Sequence, residues 1–286
     1  MATILVTGIG GPAGRNTTRL LLDRGHRVVS TDIRPIDIDD VSFHIVPPFN
    51  APDFLDSIYS LSASMSIDLF IPTVSEELPL VAAARHRWTP IPVVIGPFEA
   101  VYIANDKYLT SQRLLNCGVG VPRFMLPSEA KTIENIEEQL GWPCLSKPRV
   151  GRGGRGVTVY SKADWPAITR LDDNTILQEF IPGTDYAPNV YVNGENPIVV
   201  VLEKTLLKEG IVGNALEVRR VEAPDVAELA IAAGRALGFS GPIDVDVRRR
   251  ADGTPVVLEI NARFGANILH APEILDATLA AYTVRA

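Results

Sequence analysis

The pattern of apolar and polar residues in the first third of the chain predicts strands that alternate with helices. Residues Thr3 to Thr7 are apolar and β-branched, which is typical of a buried parallel strand. A glycine-rich turn at 8–14 follows, and a helix is predicted from about Arg15 to Arg24. Residues Arg27 to Asp32 predict a second strand that ends in an acid. The other elements predicted here are strands at 68–72 and 91–96 and a helix through 80–84.

In the rest of the chain the pattern changes to helices and then to short strands with helical cover. Residues 98–117 have a helical pattern, and Gly118–Pro122 predicts a hinge into the next part of the chain. Between 121 and 181 strands surround a helix near 132–140, and 176–181 predicts a strand. An antiparallel sheet with a covering helix is predicted for the remainder. Its strands are expected near 187–192, 197–203, 242–248 and 255–260, and its helix near 225–237.

These patterns predict an α/β Rossmann-like N-terminal domain followed by an α+β region. At 286 residues the chain is long enough for each unit to bury a core of its own. The predicted boundaries are 1–97 for the N-terminal domain, 98–120 for a helical connection, 121–181 for a lid subdomain and 182–286 for a C-terminal subdomain.

Composition argues against several classes of function. The net charge is −7, so nucleic acid is not expected as a main partner. Cys117 and Cys144 form no CxxC pattern and no disulfide framework, which is typical of a reducing cytosol. The N-terminus has no signal-type pattern, and no apolar run approaches the roughly 20 residues that span a bilayer. We therefore expect a soluble, cytoplasmic protein with no membrane partner.

A basic, glycine-rich loop follows a short apolar run that ends near Lys147. Glycines allow backbone amides to approach phosphate oxygens closely, and Lys147 and Arg152 add positive charge. The apolar run at 157–160 brings the chain back, which predicts a hairpin whose tip folds over a polyanion. This motif alone leaves open a mobile surface loop with solvated arginines. The glycines are Gly151, Gly153, Gly154 and Gly156.

The N-terminal glycine turn has the features of a Rossmann-type opening, in which a helix N-terminus can hold an anion. Gly8, Gly11 and Gly14 match the spacing of short-chain reductases, so an NAD(P)-dependent oxidoreductase is a rival interpretation. Those reductases need a Tyr-x-x-x-Lys pair, and no tyrosine in this sequence has a lysine four residues later. The turn is therefore a weak indication of dinucleotide binding.

Polar residues follow the predicted strand at 68–72, at the strand end where open α/β sheets bind ligands. Ser75, Glu76 and Glu77 lie there and are candidates for contact with a substrate amine. The two acids would equally complement the N-terminus of the helix that follows. Both interpretations stay open at this point.

The most informative group of residues lies near the end of the chain. Asp246 lies on one predicted strand and Glu259 and Asn261 on the next, with a hairpin turn at Asp252-Gly253. Alternate residues of a strand share a face, so Glu259, Asn261 and Arg263 point the same way. Two carboxylates and an amide oxygen suit magnesium that carries the phosphates of a nucleotide, and Arg263 suits a transferred phosphoryl group. The alternative is an edge hairpin with solvated acids.

Together these motifs resemble the ATP-grasp superfamily, and in particular its carbamoyl-phosphate-synthase-like, carboxylate–amine ligase branch. The resemblance covers essentially the whole chain, including the Rossmann-like domain. It implies that 121–181 is the ATP-grasp lid and 182–286 the C-terminal ATP-grasp subdomain. The motifs that carry it are Lys107, Ser146-Lys147-Pro148, the glycine-rich loop, Gln178-Glu179-Phe180-Ile181 and the group Asp246, Glu259, Asn261 and Arg263.

The resemblance implies that this region binds ATP. Lys107 and Lys147 would contact its phosphates, with Lys147 beneath the adenine, and the loop from Gly151 to Gly156 would close over the terminal phosphates. Asp185 stands where the family usually has a glutamate for the ribose hydroxyls, and the shorter acid puts that contact in doubt. The adenine edge would be read in the segment Gln178, Glu179, Phe180 and Ile181, by the Gln178 side chain and by backbone groups.

The resemblance also implies a metal site and a reaction centre. One or two Mg²⁺ ions, or Mn²⁺, would be bound by Asp246, Glu259 and Asn261. Asp246 is expected rather than Asp244, because its distance along the chain from Glu259 is the one the family hairpin favours. Arg263 and the amide near Gly265 would stabilise the acyl-phosphate. Lys204 or Lys208 would lie near the γ-phosphate, and solvated lysines are the alternative.

The implied activity is that of a ligase that phosphorylates a carboxylate with Mg-ATP and couples the acyl-phosphate to an amine. Its partners would be small-molecule carboxylate and amine substrates, with Ser75, Glu76 and Gly265 as candidate substrate contacts. Homo-oligomerisation is left open. Three other functions stay open at this point, which are a carbamoyl-phosphate-synthase-type bicarbonate kinase, an NAD(P)-dependent oxidoreductase and a non-catalytic ATP-binding module.

Overall fold

The computed structural model describes residues 1–207 and 215–282, so the candidate Lys208 lies outside the described residues. Within them the chain forms one parallel sheet and two antiparallel sheets, each with helices packed on it. The expected combination of parallel and antiparallel sheets is therefore confirmed. Among the described residues, no helix has the length and apolarity needed to cross a membrane.

The N-terminal sheet has the strand order β3-β2-β1-β4, and all of its neighbouring strands are parallel. The predicted strand at 91–96 is reduced to one bridge between Phe70 and Val93. Side chains alternate between the two faces, so Ile4 packs toward the C-terminal half and Leu5 packs under α2. The elements are β1 (Thr3–Thr7), α1 (Pro12–Asp23), β2 (Arg27–Asp32), β3 (Ser42–Ile45), α2 (Phe54–Ser64), β4 (Leu69–Ile71) and α3 (Leu78–Ala83).

Two helices connect this sheet to the rest of the chain, α4 (Phe98–Asn105) and α5 (Lys107–Asn116). The helical pattern predicted at 98–117 is confirmed, but it is divided into two helices, because the chain turns extended at Asp106. The Asp106 side chain accepts hydrogen bonds from the amides of Tyr108 and Leu109, which is the favoured N-cap arrangement. The cap makes Lys107 the first residue of a new helix.

A small antiparallel sheet of strand order β5-β8-β6-β7 forms the middle of the chain. β6 and β7 are paired directly, so the glycine-rich loop is the tip of a hairpin, as the sequence predicted. A compact core of its own supports this unit, with Ile136, Cys144 and Leu177 fully buried. The elements are β5 (Phe124–Met125), α6 (Ile133–Gln139), β6 (Cys144–Pro148), β7 (Thr158–Tyr160), α7 (Trp165–Ile168) and β8 (Thr175–Glu179).

The larger antiparallel sheet has the strand order β11-β10-β14-β9-β12-β13 in the described residues, and β15 pairs with β14. Helix α8 packs on one face through Val226 and Ala230, and α9 packs on the other through Ile274 and Leu275. The strands are β9 (Asp185–Tyr186), β10 (Asn189–Val192), β11 (Ile198–Val200), β12 (Leu202–Leu207), β13 (Ala215–Arg220), β14 (Gly241–Arg249) and β15 (Pro255–Asn261), and the helices are α8 (Pro224–Ala236) and α9 (Pro272–Ala281).

The N-terminal and C-terminal halves share one hydrophobic cluster. Leu21 of α1 and Ile4 of β1 belong to the same buried cluster as Phe264 and Leu275. The side-chain amide of Asn16 also donates to the carbonyl of Ala266, at 2.6 Å. These contacts fix the carboxyl end of the parallel sheet beside the end of strand β15, where the candidate site residues lie.

Candidate active site

A cleft of about 850 Å³ lies where the three sheets meet. It extends from the N-terminal glycine turn to the hairpin of β14 and β15, past the segment 178–181 that joins the small sheet to the larger one and is called the hinge segment below. Its volume is toward the upper end of the range for small-molecule sites. The cleft brings together residues that lie far apart in the sequence.

The β14–β15 hairpin supplies one wall of this cleft. Its antiparallel register places Asp246 directly opposite Glu259, and Asp244 directly opposite Asn261. Alternate residues share a face of the sheet, so these four side chains lie on one surface. The expected placement of Asp246 across from Glu259 is confirmed, and the surface formed by Asp244, Asp246, Glu259 and Asn261 is called the acidic wall below.

Glu259 lies between two lysines that come from other elements. The ammonium of Lys107 is 3.1 Å from its carboxylate and also donates to the carbonyl of Gly151, at 2.8 Å. Burial raises the pKa of Glu259, but Lys107 and Lys147 outweigh that effect and lower the pKa to about 2. Glu259 is therefore a carboxylate at any physiological pH.

Asp246 belongs to a buried network of two acids and two cations. Lys204 lies 2.5 Å from Asp246 and 3.2 Å from Asp185, and Arg248 lies 2.5 Å from the other oxygen of Asp185. Burial raises the pKa of Asp246 to about 7, against the opposing effect of Lys204. Burial lowers the pKa of Lys204, but Asp246 and Asp185 outweigh it, so the net shift is upward. Both carboxyl oxygens of Asp185 face cations in this arrangement.

Arg263 follows β15 and lies against the far end of the acidic wall. It donates to Asn261 at 3.0 Å and lies 3.5 Å from the carboxylate of Asp244. Gly265 packs tightly against Asp244, since a β-carbon at position 265 would lie 2.7 Å from the carboxyl carbon of Asp244 and 2.8 Å from Asn189 Oδ1. Only glycine leaves room for the acid at this point.

Lys147 enters the cleft from β6 in the small sheet. Its ammonium donates to the carbonyl of Leu258, 3.0 Å away on β15, so it bridges two sheets. Burial lowers the pKa of Lys147 to about 8, although Glu259 opposes the shift. The two lysines expected to contact phosphate, Lys107 and Lys147, thus flank the same strand.

The glycine-rich loop closes the cleft from above. Gly153, Gly154 and Gly156 have φ values of 64°, 73° and 75°, a region that side chains disfavour. Arg152 reaches across the cleft to Glu76, 3.1 Å away. Arg149 does not reach across the cleft, because its guanidinium donates to both carboxyl oxygens of Asp106, and the shortest of these contacts is 2.6 Å.

The hinge segment lies between the small sheet and the larger one. Gln178 is buried, and its Nε2 donates to no atom in the described part of the chain. The Glu179 carboxylate is held by Arg123 and Arg250, and its amide donates to the Arg123 carbonyl at 2.9 Å. The Glu179 side chain and N–H are thus engaged within the protein. The remaining hinge residues, Phe180 and Ile181, follow directly, and the Ile181 carbonyl accepts from Arg248 at 3.4 Å.

The carboxyl ends of β1 and β4 form the N-terminal wall of the cleft. The buried Glu77 accepts hydrogen bonds from the Thr7 hydroxyl and from the Val74 amide. Burial raises the pKa of Glu77 to about 7, against these hydrogen bonds. Glu77 thereby fixes the loop that presents Ser75 and Glu76 to the cleft, and among the described residues Ser75 Oγ and Glu76 Oε2 have no hydrogen-bond partner.

Asp32, the acid at the end of β2, forms hydrogen bonds within the protein beside the N-terminal glycine turn. Asp32 accepts from the amides of Gly10 and Ile33, each at 2.8 Å. In a dinucleotide-binding Rossmann domain the acid at this position binds a ribose. Here the carboxylate closes the turn, which does not favour the oxidoreductase interpretation.

The donor groups of the acidic wall fit magnesium in one particular way. Within residues 1–207 and 215–282 there is no cluster of three or more His, Cys, Asp or Glu side chains arranged to hold a metal ion. The wall offers two facing carboxylates, Asp246 and Glu259, and the amide oxygen of Asn261. Magnesium is usually held by one or two carboxylates together with substrate phosphates. The wall therefore fits a magnesium ion that is bound jointly with a nucleotide.

Sequence reasoning missed some residues that shape the site. Arg248 lines the cleft and pairs with Asp185. Its position two residues after Asp246 on the same strand was a usable signal, because alternate residues share a face. The pairing of Arg152 with Glu76 joins distant segments, and no local pattern indicates it.

The chain is similar to known proteins in sequence. The ATP-grasp domain family matches residues 104–267. A D-alanine--D-alanine ligase of Cupriavidus taiwanensis is 26% identical over 197 residues, which cover 57% of this chain and 55% of the ligase. A carbamoyl-phosphate synthase of Methanobrevibacter smithii is 26% identical over 171 residues, which cover 57% of this chain and 46% of the synthase. The chain thus spans about half the length of these curated relatives.

The chain is also similar to known proteins in fold. An L-amino acid ligase from Bacillus licheniformis superimposes with a TM-score of 0.71 at 19% sequence identity. The superposition covers 95% of this chain and 69% of that ligase. The family match extends from before Lys107 to beyond Gly265, whereas Ser75 and Glu76 lie outside it.

Proposed function

Because the chain belongs to the ATP-grasp family, we propose that it is an ATP-dependent, ADP-forming ligase that joins a carboxylate to an amine. One observation carries the proposal: the carboxylates of Asp246 and Glu259 face each other on the hairpin, with Lys107 bridging Glu259 and the glycine-rich loop. This arrangement supplies oxygen ligands for magnesium and positive charge for phosphate side by side in one cleft.

The nucleotide lies in the proposed complex between the small sheet and the acidic wall. Lys107 and Lys147 contact its phosphates, and the loop from Gly151 to Gly156 covers them, with Arg152 at its tip. The side-chain amide nitrogen of Gln178, which has no partner in the described residues, hydrogen-bonds to the base. The carbonyl of Glu179 and the backbone of Phe180 and Ile181 also contact the base. Asp185 remains the candidate for the ribose, although a ribose hydroxyl there competes with Lys204 and Arg248.

Magnesium, or manganese in its place, is held in this proposal by Asp246, Glu259 and Asn261. When bound, the ion neutralises charge on the phosphates of ATP during transfer. Lys107 pairs with Glu259 and Lys204 pairs with Asp246, so both lysines would lie beside the ion and near the phosphates that it accompanies. Lys204 is therefore placed with Arg263 at the reaction centre, and Lys208 stays a candidate there.

The proposed chemistry has two steps. A carboxylate oxygen attacks the γ-phosphorus of ATP, the bond from that phosphorus to the bridging oxygen breaks, and ADP leaves with the electron pair. The amine nitrogen then attacks the acyl carbon, the acyl C–O bond breaks, and inorganic phosphate leaves while the nitrogen loses a proton. Arg263 and the amide near Gly265 stabilise the acyl-phosphate, and closure of the loop excludes water.

The substrates are proposed to be a small carboxylate near Arg263 and Gly265 and an amine near Ser75 and Glu76. We propose that residues 1–97 form a Rossmann-like domain, 98–120 a helical connection, 121–181 the lid and 182–286 the C-terminal subdomain. We also propose a cytoplasmic location, with neither nucleic acid nor a membrane as a partner.

A bicarbonate kinase is the second candidate, and the similarity to a carbamoyl-phosphate synthase favours it. Its carboxylate would be bicarbonate itself, so no organic acid would be needed. Bicarbonate-stimulated ADP release without any other acid would identify it.

The test is an ADP-release screen with Mg-ATP across amino acids and dipeptides, each with and without bicarbonate. We expect at least one organic pair to release ADP in equal amount to the amide product. Mg-ATP binding without ADP release under any condition would indicate a non-catalytic nucleotide-binding module and contradict the proposal.

A further inference from the structure

The cleft continues beyond the acidic wall into a region that no step of the nucleotide chemistry uses. There it is lined by an apolar wall, which consists of Ile33, Ile36, Pro47, Pro48 and Phe49. Ile33 is 53% exposed and Phe49 is 39% exposed, although both are large apolar side chains. Exposed apolar residues that are grouped inside a concave site mark a surface for an apolar ligand group.

The apolar wall lies close to the loop that presents Ser75 and Glu76. A β-carbon on Gly8 would lie 2.4 Å from Val74 Cγ2 of that loop, and one on Gly10 would lie 3.1 Å from Ile36 Cδ1 of the wall. Gly8 and Gly10 are two residues apart, so their Cα atoms are separated by at most ~7 Å. The loop and the wall therefore flank the glycine turn at a separation that one small molecule spans.

The polar side of this region offers hydrogen-bond acceptors that have no partner in the described part of the chain. Ser75 Oγ and Glu76 Oε2 are buried atoms with no hydrogen-bond partner among the residues that the structure describes. Arg152 contacts the other oxygen of Glu76, Oε1, which leaves Oε2 able to accept from a ligand. Buried acceptors without partners are unfavourable unless a ligand supplies donors, and an ammonium group supplies three.

We propose that this region binds the amine substrate and that the amine carries an apolar side chain, of about the size of leucine or phenylalanine. The ammonium group lies on Glu76 and Ser75, and the side chain lies on the apolar wall. The inference rests on the proposed ligase function for the statement that the bound amine is a substrate. The binding itself depends only on the region described.

The test compares Ile33→Asp with Ile45→Asp. Ile45 is 59% exposed and does not line the cleft, so the two variants carry the same change at similar exposure. L-leucine, L-phenylalanine and L-serine are titrated by ligand-observed NMR with Mg-ADP present, and ADP release is measured with the same amines, Mg-ATP and a pool of carboxylates. Burial of such a side chain corresponds to an affinity difference of about tenfold or more.

We expect leucine or phenylalanine to half-saturate the protein at a concentration at least about tenfold below serine. Ile33→Asp should remove this preference without a change in the KM for ATP, and Ile45→Asp should keep it. Equal binding of serine and leucine, no binding of either apolar amine, or the same response in both variants would overturn the inference.

The two readouts separate this inference from the proposed function. ADP release that depends on polar amines alone would overturn the apolar subsite and leave the ligase proposal intact. Ile33-dependent binding of leucine without ADP release under any condition would support the subsite and contradict the ligase proposal.

Discussion

The ammonium of Lys107 lies 3.1 Å from the carboxylate of Glu259, and both side chains are largely buried. Lys107 begins a helix because Asp106 caps it, and Glu259 lies on a strand of the hairpin. The pair therefore joins two units of the fold at the centre of the cleft. It also brings a cation suited to phosphate and an acid suited to magnesium into contact.

Glu259→Gln is expected to reduce ADP release on the order of 100-fold or more. It removes a carboxylate proposed to hold the ion that neutralises charge on the transferred phosphate. The shape of the side chain is preserved, so circular dichroism should show a folded protein. Asp252→Asn is the matched control, since it removes an exposed acid at the turn of the same hairpin. Unchanged ADP release by Glu259→Gln would contradict the metal assignment.

Lys204→Met is expected to destabilise the fold. It leaves Asp185 and Asp246 without their shared cation, and removal of one partner from a buried ion pair lowers the free energy of unfolding by ~3–5 kcal/mol. Urea unfolding measures this. Lys162→Met removes an exposed ion pair with Glu137 and should leave the midpoint unchanged. Equal midpoints for the two variants would show that the buried network contributes no stability.

Glu77 predicts a pH dependence of stability. Burial raises its pKa from 4.5 to about 7, so the folded state holds the proton more tightly than the unfolded chain does. The stabilising contribution is therefore complete below pH 4.5 and is lost as the pH rises to about 7. Urea unfolding at pH 5 and pH 8 measures the loss. Glu77→Gln should show a smaller difference between the two pH values, and an unchanged difference would contradict the assignment.

Arg152→Ala is expected to loosen the glycine-rich loop, because Arg152 contacts Glu76 across the cleft. An exposed ion pair is worth less than about 1 kcal/mol, so amide hydrogen exchange at 151–156 should quicken by a few-fold. Arg155→Ala is the control, since this exposed arginine lies in the same loop and forms no ion pair among the described residues. Equal exchange in both variants would indicate that the contact with Glu76 does not hold the loop.

Local sequence patterns predicted the parts of the site that depend on local geometry. Strand alternation and one hairpin turn place Asp246 opposite Glu259, and no contact between distant segments has to be known. The break at Asp106 was missed, although an aspartate that can cap a helix is a local signal. The strand expected at 91–96 contains Pro92, which has no amide hydrogen for a ladder, and only Val93 is bridged.

Contacts between distant segments could not be predicted in this way. Lys204 lies 42 residues from Asp246, and its pairing depends on the order of strands in the larger sheet. The short strand β3 has no fully buried residue and thus no strong apolar signal. The roles of Asp185 and Glu76 likewise depend on which cations the fold brings to them, which only the tertiary structure shows.

The most direct test of the ligase proposal follows oxygen from the acid to the phosphate. The protein is incubated with Mg-ATP and a pool of amino acids labelled with ¹⁸O in their carboxyl groups, and inorganic phosphate is analysed by mass spectrometry. An acyl-phosphate intermediate predicts one ¹⁸O atom in each phosphate formed with ADP. Release of ADP with unlabelled phosphate would contradict it.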